Sequence, residues 1–469
     1  MSFPSISLAR FKTLGPIILL YLFMSLWYLD RYGGSFMFDF APHYVVGTIV
    51  QKGENHIYDY QFKEQTADYF VLYPGPRYLA TAHSIAGFPS LDVPQFSYSP
   101  ALAPFCALLP LAPVRVYPPL ILLVNLACLF FALSFPLFQE QRFGALEWLL
   151  FATGAVVLSW GTVVQFNLLA GQSNLVIMAL MLAAIALGER GRPLAAGIVL
   201  SLPVTMKYFP AVIVLPWLLQ GRWRAAVVAA SVSLLYLLVG IFMVGAENVS
   251  GFLKYTHLLG SSAPSIWFNQ SPDAFFLRAF GSFENVWGFR YFHARWWFVL
   301  PALVLKVVFF TAGVRLCVGV QRSSLDEWRL APFYYLMALG TLLLPQAWHH
   351  YMPLTLPLSV FLIERLCRGP FPPRMRACGL AAVALILTAI FSPQSWFFRL
   401  LKTIEAGVDR TSFFQSLALE FYLRVGLQRF FLGTVALLVL TVILFRYSHS
   451  QSSLLNRNIV PDQKAQRSA

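Results

Sequence analysis

Apolar residues in this chain do not alternate with polar ones. They gather in long blocks, the first from Pro16 to Leu29 and the last from Gln428 to Phe445, and the links between blocks are short and rich in Arg and Lys. A water-soluble core has no room for so many blocks, whereas a bilayer accepts each one that satisfies its own backbone hydrogen bonds, which makes each a helix. The chain therefore reads as an all-α, polytopic membrane helical bundle. The net charge of +14 alone would raise nucleic acid as a partner. Because the basic residues sit between apolar runs, where they set orientation and meet anionic headgroups, the charge points to membrane lipids and away from nucleic acid. The five cysteines have no Cys-x-x-Cys spacing and indicate neither a metal site nor a disulfide framework.

Arg10 and Lys12 precede the first run, so the positive-inside rule leaves the N-terminus in the cytoplasm. No small-residue cleavage site follows that run, and it reads as a retained anchor. Residues 30 to about 97 then form an external loop, folded against the membrane surface, with an amphipathic stretch from Pro42 to Gly53. The run opened by Tyr98-Ser99-Pro100 is too short to span and reads as re-entrant or interfacial; Pro118 to Leu137 is long enough. One span ending near Val164 and another from Asn174 to Leu187 are joined outside by residues 165–174.

Between the basic links 188–192 and 221–224 the apolar segment must cross an even number of times, yet two full spans need roughly 40 residues. It should be a hairpin of short helices, broken around Pro203 and Pro210, with Lys207 near its tip. A span from Ala225 to Val244 leads to a second external segment, Gly245 to Arg295, and a third external stretch covers residues 392 to about 427. Continued by basic links to the end, this predicts about twelve crossings, both termini cytoplasmic. It divides the chain into one membrane domain over residues 1–446 and a polar, disordered cytoplasmic tail over 447–469.

This topology puts several polar groups on the external side. Asp39, between Phe38 and Phe40 at the mouth of a membrane helix, is a candidate catalytic base, because partial desolvation raises a carboxylate's basicity; the plain alternative is an interfacial aspartate that opens a loop. An unpaired ammonium at the depth of Lys207 costs roughly 3 kcal/mol, and the broken hairpin favours a phosphate clamp over a side chain that snorkels to the interface or pairs with a buried carboxylate. His349 and His350 are further candidate donors to a phosphate or a sugar, though adjacent histidines on a helix face different ways. Gln172 and Asn174 either bond sugar hydroxyls or cap a helix, capping being the ordinary role for Asn174. Tyr98, Asn269 and Gln270 complete the candidate substrate contacts, with no metal and no cofactor expected. Transfer from a lipid phosphate to a hydroxyl needs a base, positive charge for the departing phosphate and a polar cleft open to lipid, and these residues supply all three.

In order and spacing, Asp39, Tyr98-Ser99-Pro100, Gly171-Gln172-Ser173-Asn174, Ala196-Gly197 with Lys207 and Pro210, and Trp348-His349-His350 resemble glycosyltransferase family 87, polytopic C-type enzymes once classed as a domain of unknown function. The resemblance runs from about residue 35 to 365. It implies a polyprenyl-phosphate-linked sugar donor, a glycan or glycolipid acceptor, and inverting transfer of a hexose or pentose, mannose-like above all, on the extracytoplasmic face of the cell membrane with Asp39 as base. Tyr-Ser-Pro stands here where many members have Tyr-Pro-Pro. A lipid flippase would also use a lysine on a broken helix, but no internal repeat joins the two halves. A ligase using a pyrophosphate-linked glycan would call for clustered external arginines, and those here are scattered.

Overall fold

A computed structural model describes residues 8–32, 37, 39–85, 93–139, 161–266, 269–281, 290–323, 325–344, 346–391 and 428–466. The expected third external stretch, most of the span ending near Val164, Asp92, Trp267 and Phe268 lie outside the described residues.

The apolar blocks form helices, because a run of Leu, Val, Ala and Phe without side-chain hydrogen-bonding competitors leaves the backbone to bond itself. In chain order they are α1 (Leu8–Tyr32), α2 (Ala41–Gln51), α3 (Pro76–Ser84), α4 (Tyr117–Gln139), α5 (Thr162–Ala170), α6 (Asn174–Glu189), α7 (Pro193–Met206), α8 (Val214–Leu219), α9 (Trp223–Gly260), α10 (Pro272–Phe280), α11 (Trp296–Arg322), α12 (Ala331–Leu343), α13 (Leu356–Arg368), α14 (Pro373–Phe391) and α15 (Arg429–Gln466). The amphipathic stretch expected after Pro42 is α2, with one face buried.

Twelve crossings are not found. Among the described residues five helices are long and apolar enough to cross, or six if α5 and α6, bent by 104° at their junction, count as one broken span. Hydropathy counts every apolar run as a crossing, whereas a helix rises only about 1.5 Å per residue. The run from Ala331 is the clearest case: α12 has 13 residues, and Ala331 through Leu342 are all buried. It is the apolar centre of the bundle, which is what a helix hydrophobic all round becomes when it is too short to span.

Two further expectations change. α9 continues for 15 residues beyond Gly245, whose backbone (φ 78°, ψ 167°) breaks the helix without ending it. The segment that follows is tied to a span, since Lys306, ten residues and so roughly 15 Å into α11, pairs with Asp273 at the start of α10. The tail after Tyr447 is helical to Gln466, since a helix already nucleated by a packed span adds residues at little cost.

The chain is also not purely helical. Strands β1 (Tyr60–Gln65), β2 (Tyr69–Pro74), β3 (Ser262–Pro264) and β4 (Tyr291–His293) form an antiparallel sheet in the order β1-β2-β4-β3. It joins the two polar segments through Tyr69↔Phe292 and Ala263↔Phe292. At the opposite end of the bundle, Glu189 bonds Arg222 on one oxygen and Arg329 on the other, at 2.9 Å. Three links whose charge assigned them to a single face thus converge on one carboxylate.

Candidate functional site

Two interlocked turns create the site. α5 ends at Gly171, which adopts the left-handed conformation (φ 73°, ψ 32°) that turns the chain sharply into α6. A Cβ on Gly171 would lie 2.9 Å from Cβ of Met37 and 3.0 Å from Cβ of Phe40, so the turn carrying Asp39 packs directly on the bare glycine. Asp39 N–H donates to the carbonyl of Ala170 at 2.9 Å. The following residue of the second turn, Gln172, brings its side chain to the Asp39 carboxylate.

Asp39 Oδ2 is enclosed by protein and has no hydrogen-bond partner. Burial raises the carboxyl from its ordinary range to about 6, and the Gln172 amide and the positive charge of Lys207 pull it only partly back. His43, one turn further along, stacks on Phe40 (centroids 6.1 Å) and packs against Tyr98 (4.7 Å).

Lys207 occupies the break predicted from the prolines. α7 stops at Met206 and Lys207 is extended (φ −151°, ψ 131°) before the chain turns again at Phe209. Its Nζ donates to Asn174 Oδ1 at 2.7 Å and lies 4.0 Å above the Tyr351 ring and 5.9 Å from that of Tyr98. No carboxylate lies within ion-pair distance of it among the described residues. A cation–π contact in a desolvated place stabilises the ammonium by roughly 2 kcal/mol while leaving its charge uncancelled. The group is therefore held by an amide and two rings, and remains available to an anion.

Asn174 is not a helix cap. Its amide donates to Asn167 Oδ1 (3.1 Å) and to the carbonyl of His350 (3.0 Å), while Asn167 donates to that same carbonyl at 2.8 Å. Asn167 and Asn174 thereby tie both arms of the bent α5–α6 pair to the turn at His349–Thr355, and present Asn174 Oδ1 to Lys207. The His350 ring stacks on Phe166 with planes 5° apart, and its charge environment includes Lys207. His349 packs edge-on against the same Phe166 and against Phe430, with its ring 5.6 Å from that of His350, so the two adjacent histidines share one aromatic cluster instead of pointing to different faces.

Asp39, Tyr98, Gln172, Asn174, Lys207 and His350 are thus brought to one place from five separate segments. Asn269 and Gln270 are not: both are fully buried. Asn269 Oδ1 accepts from the backbone N–H of Ser271 and of Ala347, and Asn269 bridges to Trp348. Gln270 donates its backbone N–H to Ala347 and accepts from Phe431 N–H. They brace the segment that delivers the histidines. Sequence reasoning missed Tyr351, Asn167 and His43; Tyr351 and His43 stand next to or near residues already singled out, but only the fold shows which ring Lys207 sits over. Among the described residues no group of three His, Cys, Asp or Glu could hold a metal ion.

Residues 96–345, more than half of the chain, match the family model described as Glycosyltransferase family 87. Tyr98, Gln172, Asn174 and Lys207 fall inside the match, and Asp39, His349 and His350 outside it. No curated protein matches the chain.

Proposed function

Because the chain belongs to glycosyltransferase family 87, we propose that it transfers a hexose or pentose, mannose-like above all, from a polyprenyl-phosphate-linked donor to a glycan or glycolipid acceptor. In this reading the reaction takes place on the extracytoplasmic face of the cell membrane and inverts the anomeric centre. Membership makes it a membrane glycosyltransferase; the donor, the face and the residue roles are our reading.

The observation that carries the reading is a carboxylate with a raised pKa sharing a pocket of charge with an ammonium that has no carboxylate partner. Asp39 takes the proton of the acceptor hydroxyl as its oxygen bonds to the anomeric carbon. The bond from that carbon to the phosphate oxygen breaks, and the electron pair leaves on the lipid phosphate, whose added charge Lys207 balances. Gln172 orients the carboxylate, and Asn174 fixes the ammonium.

The test is transfer of radiolabelled sugar from synthetic polyprenyl-phosphate donors by purified protein in nanodiscs, with donor binding measured separately. Asp39→Asn keeps the shape but cannot accept a proton, so transfer should fall by roughly 100- to 10,000-fold while the donor still binds. Transfer at the wild-type rate places the base elsewhere. Next in line in the same loop are Asp59, which bonds the N-terminus of α3 through Arg77 N–H, Asp68, which pairs with Arg295, and Asp92, which lies outside the described residues. A wild-type protein that moves such donors between leaflets without transferring sugar would be a flippase.

A further inference from the structure

A cavity of about 630 Å³ lies away from Asp39, between the sheet, the end of α10 and the start of α11. Its walls are aromatic where β2 and β4 meet α11, with Tyr69, Phe292, Trp296 and Trp297 facing it, and Trp296 is 78% exposed. An exposed Trp at the head of a span is ordinarily an interface anchor. Tyr69 and Phe292, however, belong to the sheet rather than to a span, so anchoring does not account for the set.

The charges around the cavity do not cancel. Arg295 and Asp68 form an ion pair at 3.2 Å and neutralise each other. Arg278, only 3% exposed, has no such partner among the described residues: it donates to the carbonyls of Ser265, Ile266 and Asn269, and its Nε has no hydrogen-bond partner. The cavity also takes in the first turn of α11, a 27-residue helix with no capping side chain and no acidic residue in that turn. A buried guanidinium with an unpartnered Nε and an uncapped helix N-terminus both favour an anion, and among the described residues no carboxylate pairs with Arg278. Flat aromatic faces beside a few charged donors suit a ring-shaped polyol, with the apolar face of the sugar on the rings.

A chain of backbone contacts joins the cavity to the segment that carries the histidines. Arg278 bonds the carbonyl of Asn269, and Asn269 in turn bridges to Trp348, the residue before the two histidines. We propose that this cavity binds an anionic saccharide segment of the acceptor, carrying a carboxylate or phosphate, beyond the hydroxyl that reacts. The assignment to the acceptor rests on the glycosyltransferase reading; the binding chemistry does not.

The experiment uses the full chain in phosphatidylcholine nanodiscs, with Asp39→Asn in parallel, and measures by calorimetry the binding of trigalacturonate, its fully methyl-esterified form and mannose 6-phosphate. At least one of the two anionic probes should bind in both proteins, and trigalacturonate, if it binds, should bind at least tenfold more tightly than its ester. Arg278→Gln should weaken that binding tenfold or more. Since that variant also loses bonds to three carbonyls, Tyr69→Ala and Trp296→Ala serve as independent probes of the wall and should each weaken it by a similar factor. Failure of both anionic probes, equal affinity for acid and ester, or unchanged affinity in both aromatic variants would overturn the proposal. Loss of saccharide binding when the nanodiscs contain phosphatidylglycerol would also overturn it, by giving the cavity to a lipid headgroup. None of these readouts involves transfer, so an inactive wild-type protein would count against the proposed function and not against this site.

Discussion

Replacing Gly171 by Ala tests whether the Asp39 turn is held where the chemistry needs it. The backbone there has φ 73°, and an L-residue in that conformation costs about 1–2 kcal/mol. The new Cβ would also sit 2.9 Å from Cβ of Met37 and 3.0 Å from Cβ of Phe40. Carbon atoms rest at about 3.5–4.0 Å, so one turn must retreat by roughly 0.5–1 Å. Because Asp39 N–H is bonded to Ala170, the residue just before the glycine, the retreat moves the carboxylate against its surroundings. Displacing a reacting group by about 1 Å costs on the order of 100-fold in rate. The expected outcome is a loss of thermal stability together with a 10- to 100-fold fall in the turnover rate, larger than any loss of donor affinity, which follows only from a shift of Asn174 beneath Lys207. Gly191→Ala is the control, with φ 69° and nothing within 4 Å of the new Cβ: it has the same backbone cost and no clash. The assays are unfolding in detergent and radiolabelled transfer with donor binding measured apart. Equal turnover in the two variants would refute the argument that the glycine positions the base.

The pH dependence of kcat/KM should carry the Asp39 carboxyl. A base works deprotonated, so with a pKa of about 6 the rate should drop tenfold per unit below pH 6; a midpoint near pH 4 would mean that the base is an ordinary exposed carboxylate. Lys207→Ala should weaken donor binding and turnover in a folded protein, and Lys207→Arg should keep part of both, since a guanidinium restores the charge but not the fit to Asn174 Oδ1 and the Tyr351 ring. Unchanged donor affinity in Lys207→Ala would leave the residue as a stabilised but idle cation. Reporter fusions at residues 60, 170 and 260 should read external, and those at 191, 325 and 370 cytoplasmic; a cytoplasmic signal at residue 60 would put Asp39 on the wrong side of the membrane.

Local chemistry was enough to read a good part of this chain. Long apolar runs require helices in a bilayer, Pro203 and Pro210 require a break near Lys207, and Pro42 with the amphipathic residues after it favours a helix, whatever the rest of the chain does. Those constraints act within a few residues and so can be seen in sequence. What depended on distant partners was not visible. Asn174 has the sequence position of a cap and instead bonds His350, 176 residues away, while Asn269 and Gln270 look like ligand contacts and are taken up by the backbone of Ala347 and Phe431. The sheet joining β2 to β4 links segments separated by some two hundred residues, and α12, one of the expected crossings, is buried by its neighbours instead of exposed to lipid. The ring over which Lys207 lies, and the glycine on which the Asp39 turn rests, were likewise decided by packing between segments, because a polar side chain's role follows from which buried partner reaches it first.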